Sequence, residues 1–219
     1  MTYSILGRCA RTGQFGAAVT TSSIAVGSRV PHVAPGIGGV LTQHRTDPRL
    51  GPRGLELLRS GCSAEETMAA LVASTPHHKW RQLAVLDAQG RSAHFHGAAV
   101  KPALNAVHVP DCVVLGNILA NDRIPAAMAA AFLDSADQPL AERLVRAMEA
   151  GEAAGGEGKP VISAALVVME KELFPLVDLR VDLAPDAITA LRTLWDAYAP
   201  SVREFVTRAV DPDAAPGVI

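Results

Sequence analysis

The chain reads as an α+β protein in which largely antiparallel sheets pack together with helices outside them. Three observations predict this class. Short segments rich in β-branched residues are joined by hairpin-length turns rather than by crossover helices. Helical segments come in pairs between groups of strands. Both kinds of element carry apolar residues to bury, since hydrophobic residues make up 49% of the chain and charged residues only 19%. Aromatics are scarce at 4%, so the core is built from Ala, Val, Leu and Ile.

The elements follow in the order β-β-β, α-α, β-β-β, α-α, β-β, α. "TYSILGRC" and "GAAVTTSS" form a hairpin around the Gly13 turn in "ARTGQF". "PGIGGVLTQH" is the next strand, with Gly36, Gly38 and Gly39 allowing close backbone approach. A helix starts near Gly54, where "GLELLRSG" groups Leu55, Leu57 and Leu58 ahead of Gly61. "CSAEETMAALVAS" is a second helix, with Ser63 as N-cap and Glu66 completing a capping box. "RQLAVLDAQGRSAHFHG" gives two strands around the turn Asp87-Ala88-Gln89-Gly90, and "NAVHVPDCVVLGN" one more. Helices are expected over about 122–134 and 138–152, then a loop at "EAAGGEGKP". "VISAALVVM" and "LVDLRVDL" are late strands, and Asp186 caps a last helix running to about 208. Interleaving throughout predicts a single domain over 1–210, with 211–219 as a flexible tail. No period of 20 to 50 residues suggests a repeat array.

Composition removes several function classes. Lys and Arg number 20 against 22 Asp and Glu, and they are scattered, so no basic stripe offers itself to nucleic acid. Cys9, Cys62 and Cys112 are widely spaced and form no CxxC pair, which argues against a disulfide framework or zinc cluster. No basic stretch followed by an apolar segment marks the start, and runs such as "VISAALVV" are too short to span a bilayer. A cytoplasmic protein without membrane association is expected. The Ala-rich helical surface suggests a homodimer.

The segments "MTYSILGR", "AVTTSSIAVGSRVP", "PGIGGVLTQ", "DPRLGPRGLELLRSG", "LGN", "AAGG", "SAALVV" and "VDLRVD" occur in an order that resembles a bacterial family, the domain of unknown function number 1028. That family is itself similar in structure to N-terminal-nucleophile (Ntn) hydrolases. The resemblance implies a four-layer αββα sandwich and supplies no substrate. The chain departs from the family pattern at Leu115, where Gln precedes Gly-Asn, at Glu157, where Asp follows Gly-Gly, and at Ile162, where Gln precedes Ser-Ala-Ala.

Ntn hydrolases cleave amides with an N-terminal Thr, Ser or Cys, and the resemblance brings Thr2 forward as nucleophile once Met1 is removed. A free α-amine with a pKa of about 7.7–8 is partly neutral at physiological pH and can take the hydroxyl proton. A peptide nitrogen cannot, because its lone pair is delocalised. The other reading leaves Thr2 as an ordinary strand residue. Asn117 is the candidate oxyanion donor, or else serves the turn beginning at "GN". Ser22, Thr42, Gln43 and Ser163 are the strand-borne polar groups that could bind a small-molecule substrate between the sheets. His94 and His96 share one side of a strand and, with His108, pose a zinc alternative, which the reading sets aside. "GIGG" lacks the spacing of a phosphate loop. No cofactor and no metal are called for. The alternative function is a non-catalytic small-molecule or partner-binding protein.

Overall fold

The computed structural model describes residues 1–216. The opening hairpin pairs β1 (Thr2–Cys9) with β2 (Gln14–Thr21), Leu6 opposite Ala17. Gly13, at φ +74°, closes the turn by donating its N–H to Cys9 O at 2.8 Å. A strand the sequence reading did not foresee comes next, β3 (Pro31–Ala34), and the strand expected over 35–44 is β4 (Gly38–Gln43). Pro31 fits an edge strand, where a missing N–H faces no neighbour.

Gly38 and Gly39 perform the close approach their sequence suggested. A Cβ on Gly38 would lie 2.1 Å from Leu86 O on the neighbouring strand, and φ there is +134°. One on Gly39 would lie 2.5 Å from Leu6 Cδ1, so this glycine lets the two sheets close on each other.

α1 (Leu50–Arg59) starts four residues before Gly54, and α2 (Ala64–Ala73) follows with its capping box intact. Glu66 N donates to Ser63 Oγ at 3.2 Å and Ser63 N to Glu66 Oε2 at 2.8 Å. β5 (Gln82–Asp87) and β6 (Ser92–His96) turn on the Asp87 carboxylate, which accepts from Gln89 N and Arg91 N, both at 3.0 Å. The single strand expected over 105–117 is a hairpin, β7 (Leu104–Val109) and β8 (Cys112–Asn117). Pro110 and the left-handed Asp111, at φ +61°, reverse the chain in two residues.

α3 (Ile124–Asp134) and α4 (Leu140–Ala153) precede β9 (Ser163–Met169) and β10 (Val177–Val181). The last predicted helix is broken into α5 (Ala187–Tyr198) and α6 (Val202–Val210) by a 3-10 turn at Ala199–Ser201 that contains Pro200. Asp186 caps α5 by accepting from Thr189 N at 3.1 Å. Within the expected tail, Pro212–Ala214 form a 3-10 turn, and 217–219 lie outside the described residues.

The fold is mixed α and β with antiparallel sheets. One sheet runs β10-β9-β2-β1-β8-β7, the other β3-β4-β5-β6. Alternation along β1 splits the core. Tyr3 and Ile5 join Phe132, Leu144 and Trp195 beneath α3, α4 and α5. Leu6 faces the other way, with Phe15, Leu41, Leu86 and Leu115 between the sheets. Val40, Leu83 and Val85 pack on Leu58, Met68 and Leu71 of α1 and α2. Each such Leu, Ile, Val or Phe stabilises the fold by about 1.5–3 kcal/mol.

Among the described residues, no helix is long and apolar enough to cross a membrane.

Candidate active site

Thr2 opens β1 on its inter-sheet face and stands in register with Asn117 at the end of β8. Only 7% of Thr2 is exposed, and that part lines a cavity of about 820 Å³. The cavity is closed by the ends of β1 and β2 and by loops carrying Arg29, His44, Arg45, Trp80, Arg81 and Lys101. The Thr2 hydroxyl lies 3.3 Å from that of Thr21, and both hydroxyls donate to Met1 O.

Beneath Thr2 runs a polar chain through the inter-sheet core. Ser4 Oγ donates to Gln43 Oε1 at 2.6 Å, and Gln43 Nε2 donates to Gln82 Oε1 at 2.6 Å. Asn117 Nδ2 donates to the same Gln82 oxygen at 2.8 Å. Gln82 Nε2 in turn donates to Gly116 O at 2.7 Å, which fixes the amide's orientation, and to His96 Nδ1 at 2.9 Å. Ser4, Gln43, Gln82 and Asn117 are fully buried, so every bond is made away from competing water. Asn117 therefore points into the core rather than capping its turn. One Nδ2 proton remains uncommitted, and its Oδ1 is buried without a partner.

The amino terminus shares the cavity. Burial pushes the α-amine below its ordinary value, Glu157 opposes that effect and Lys101 adds to it. Burial pushes the Glu157 carboxyl up to about 7, although Ser22 N donates to its Oε2 at 3.0 Å. Glu157 Oε1 is buried and unpartnered. A weakly basic amine and a weakly acidic carboxyl thus stand together, a pair able to hold or release a proton near neutrality.

On the opposite wall, His44 Nδ1 lies 2.9 Å from Trp80 O, and the Arg45 guanidinium sits 4.2 Å above the Trp80 ring. His44 and Arg45 both hold positive φ, 50° and 28°, which turns the chain away from β4 directly after Gln43. Burial lowers the His44 pKa, so the ring stays neutral beside these cations.

Of the residues expected from the sequence, Thr2 and Ser22 reach the cavity, and Asn117 stands beside Thr2 in the sheet. Thr42, Gln43 and Ser163 are not among its lining. Thr42 Oγ1 donates to Asp47 O at 3.3 Å, and Ser163 Oγ bridges Ser23 O and Val26 N at 2.6 and 3.1 Å. His94, His96 and His108 do gather at one edge. However, His94 Nδ1 and His108 Nε2 share a hydrogen bond at 2.7 Å, and His108 Nδ1 shares another with Ser92. Among the described residues no group of three or more His, Cys, Asp or Glu is arranged to hold a metal ion. Sequence reasoning missed the cavity's cations and Trp80. The four cations come from four separate segments, with Trp80 next to Arg81, and only "HKWR" and "QHR" carried a trace of them.

Comparison with known proteins adds the family. No curated protein matches the chain. A family of unknown function, DUF1028, matches residues 2–191. A crystal structure of the protein SPO2555 from Silicibacter pomeroyi, of the same family, is 30% identical with a TM-score of 0.85, covering 93% of this chain and 94% of that one. Anbu (ancestral beta-subunit) from Yersinia bercovieri is 12% identical with a TM-score of 0.40, covering 99% of each chain, a likeness too distant to carry an argument. Matched over residues 2–191 and paired end to end with that Silicibacter structure, the chain belongs to the DUF1028 family.

Proposed function

We propose that the protein is an Ntn-type amidohydrolase, built as a four-layer αββα sandwich, that cleaves a small amide or carbamoyl-like substrate. The observation that carries the reading is the position of Thr2: a strand-borne hydroxyl on the wall of a small-molecule-sized cavity, beside a desolvated amino terminus. Removal of Met1 gives Thr2 its own amine. At the Met1 amine, burial and Lys101 favour the neutral, proton-accepting form and Glu157 opposes it; the Thr2 amine would inherit that setting.

The chemistry then follows. Thr2 Oγ attacks the amide carbonyl carbon, and its proton passes to the α-amine. Negative charge gathers on the carbonyl oxygen, and Asn117, in register with Thr2, is the donor assigned to it once its side chain turns from the core toward the cavity. Gln82, itself held by Gln43, is the partner the Asn117 amide exchanges for that oxygen. Collapse expels the amine product with the proton from the α-amine and leaves an acyl ester on Thr2. Water, deprotonated by the same amine, hydrolyses the ester and restores the hydroxyl. No cofactor enters these steps.

The second reading is a ligand-binding protein without chemistry, and one observation favours it. With Met1 attached, the Thr2 and Thr21 hydroxyls are both engaged by Met1 O, and Thr2 has no base of its own. The deciding experiment begins with the intact mass of untagged protein from its native host. It continues with an amide screen on the wild type, Thr2→Ser and Thr2→Ala. Alanine is as compatible with Met1 removal as threonine, so the comparison isolates the hydroxyl. A processed protein whose turnover survives as serine and falls roughly 10³-fold or more as alanine supports the hydrolase. Full activity in Thr2→Ala ends it.

A further inference from the structure

The charges around the cavity are one-sided. Arg29, Arg45, Arg81 and Lys101 line it, and none of its lining residues is acidic. The whole chain carries slightly more acids than bases, so a four-cation lining with no acid is a local feature rather than an average. The nearest carboxylate, Glu157, accepts from Ser22 N and faces the amino terminus instead.

Nor are these cations fully neutralised elsewhere. Arg29 donates to the carbonyls of Ile24 and Ala25, both at 2.7 Å, and to Ser23 Oγ, all uncharged partners. Arg81 donates to the Arg45 carbonyl, and the one carboxylate it meets among the described residues is Asp47, at 3.5 Å, which Arg49 already holds at 2.8 Å. Arg81 Nε is buried without a partner. Among the described residues, neither Arg45 nor Lys101 has a carboxylate within ion-pair distance. Stacking on Trp80 holds the Arg45 guanidinium over the cavity rim instead of leaving it free in solvent. Like charges converging on a partly enclosed space repel one another, and an arriving anion relieves that repulsion. Walls of low polarity focus the field and make the gain larger than on open surface.

We propose that the ligand of this cavity bears a carboxylate, bound by Arg45, Arg81 and Lys101 while its amide faces Thr2. The inference rests on the cavity being the substrate site, and it names the substrate class: a small amide with a free carboxylate a few bonds from the scissile carbonyl. Arg81 supplies planar, directional N–H donors, and Lys101 supplies a point charge on a flexible stem. A neutral amide of the same size would leave Arg81 Nε buried and unpaired, which is how a polar site rejects the analogue that lacks the matching group.

The test is equilibrium binding by calorimetry at fixed ionic strength, using glutarate, its neutral diamide glutaramide, and inorganic phosphate as probes. Binding breaks no bond, so its result is separable from the fate of the hydrolase reading: retained Met1 or absent turnover sinks the latter alone. The proposal expects glutarate to bind, and glutaramide to bind at least about tenfold more weakly. Arg45→Gln and Lys101→Gln, both at exposed positions and neither altering the backbone, should each weaken glutarate about tenfold and leave the melting temperature of the free protein nearly unchanged. Equal binding of acid and diamide overturns the proposal, as do absent glutarate binding and indifference to both variants. Phosphate binding as tightly as glutarate also overturns the carboxylate class.

Discussion

Glu157 is buried and holds its carboxyl near 7, and that placement has a cost that depends on pH. In the unfolded chain the group has its ordinary value of 4.5. Between these values the folded state binds a proton that the unfolded state has released. Stability therefore falls as pH rises through the window from 4.5 to about 7. The width of the window multiplied by 1.36 kcal/mol bounds the loss at about 3 kcal/mol. Glu157→Gln keeps the shape and a hydrogen-bond acceptor for Ser22 N but removes the titration. Urea unfolding at half-unit steps from pH 4 to 8.5 should show the variant overtaking the wild type across this window, by up to about 3 kcal/mol. The α-amine acts in the opposite sense. Its lowered folded-state value means the unfolded chain binds more protons just below pH 8, so stability rises as pH climbs toward 8. Glu157 normally raises that amine, so the rise should be steeper in Glu157→Gln. If the two profiles run parallel between pH 4.5 and 7, the carboxyl is not desolvated, and the proton-sharing pair at the cavity falls with it.

Other perturbations probe the scaffold. Gln82→Met keeps volume but strips hydrogen bonds from Gln43, Asn117 and Gly116, at about 1–3 kcal/mol per orphaned group. A loss of about 3 kcal/mol should lower the melting temperature by about 6–12 °C, and turnover should fall further than in a core variant of equal stability. Gly38→Ala forces a Cβ to within 2.1 Å of Leu86 O at φ +134°, so a loss of at least about 3 kcal/mol is expected in denaturant unfolding. Replacing Ser63 with Ala removes the cap of α2 at a cost of about 1 kcal/mol, readable from the shift in urea midpoint at constant slope.

The parts of the fold that were legible in the sequence are those decided locally. The capping box of Ser63 and Glu66 and the Asp186 cap carry their own hydrogen-bond logic, and both helices begin where that logic puts them. The Gly13 turn likewise announced the β1–β2 hairpin. The errors fall where a local signal was present but read at the wrong scale. Pro110-Asp111 turns a continuous apolar run into a hairpin, and Pro200 cuts a helix whose apolar spacing continues across it. Alternation and helical period survive such breaks, so they overrule the breaker when read alone. The cavity was least legible. Thr2 stood out because the family resemblance brought it forward. Arg29, Arg45, Arg81 and Lys101 each resemble a solvated loop cation, and only the tertiary fold gathers them around one space.

The distribution of unsatisfied polar groups ties these observations together. Among the described residues, the buried side-chain atoms without a partner are His32 Nε2, Thr67 Oγ1, Arg81 Nε, Asn117 Oδ1 and Glu157 Oε1. His32 packs against Gly51 of α1 and Thr67 lies on α2, both remote from Thr2 in the fold. The other three surround the end of β1: Arg81 on the cavity wall, Asn117 opposite Thr2 in the sheet, Glu157 against the Ser22 backbone. A few residues away, Ser4, Gln43 and Gln82 sit at equal depth with their side-chain bonding complete. The same fold therefore satisfies buried polar groups where they only hold the sheets together. It leaves a cation, an amide and a carboxyl with unsatisfied atoms near the end of β1. Each such orphan costs about 1–3 kcal/mol unless something binds it. A bound carboxylate would satisfy the first, an N–H donor the carbonyl oxygen of the second. The third is left for the amine that would take the proton.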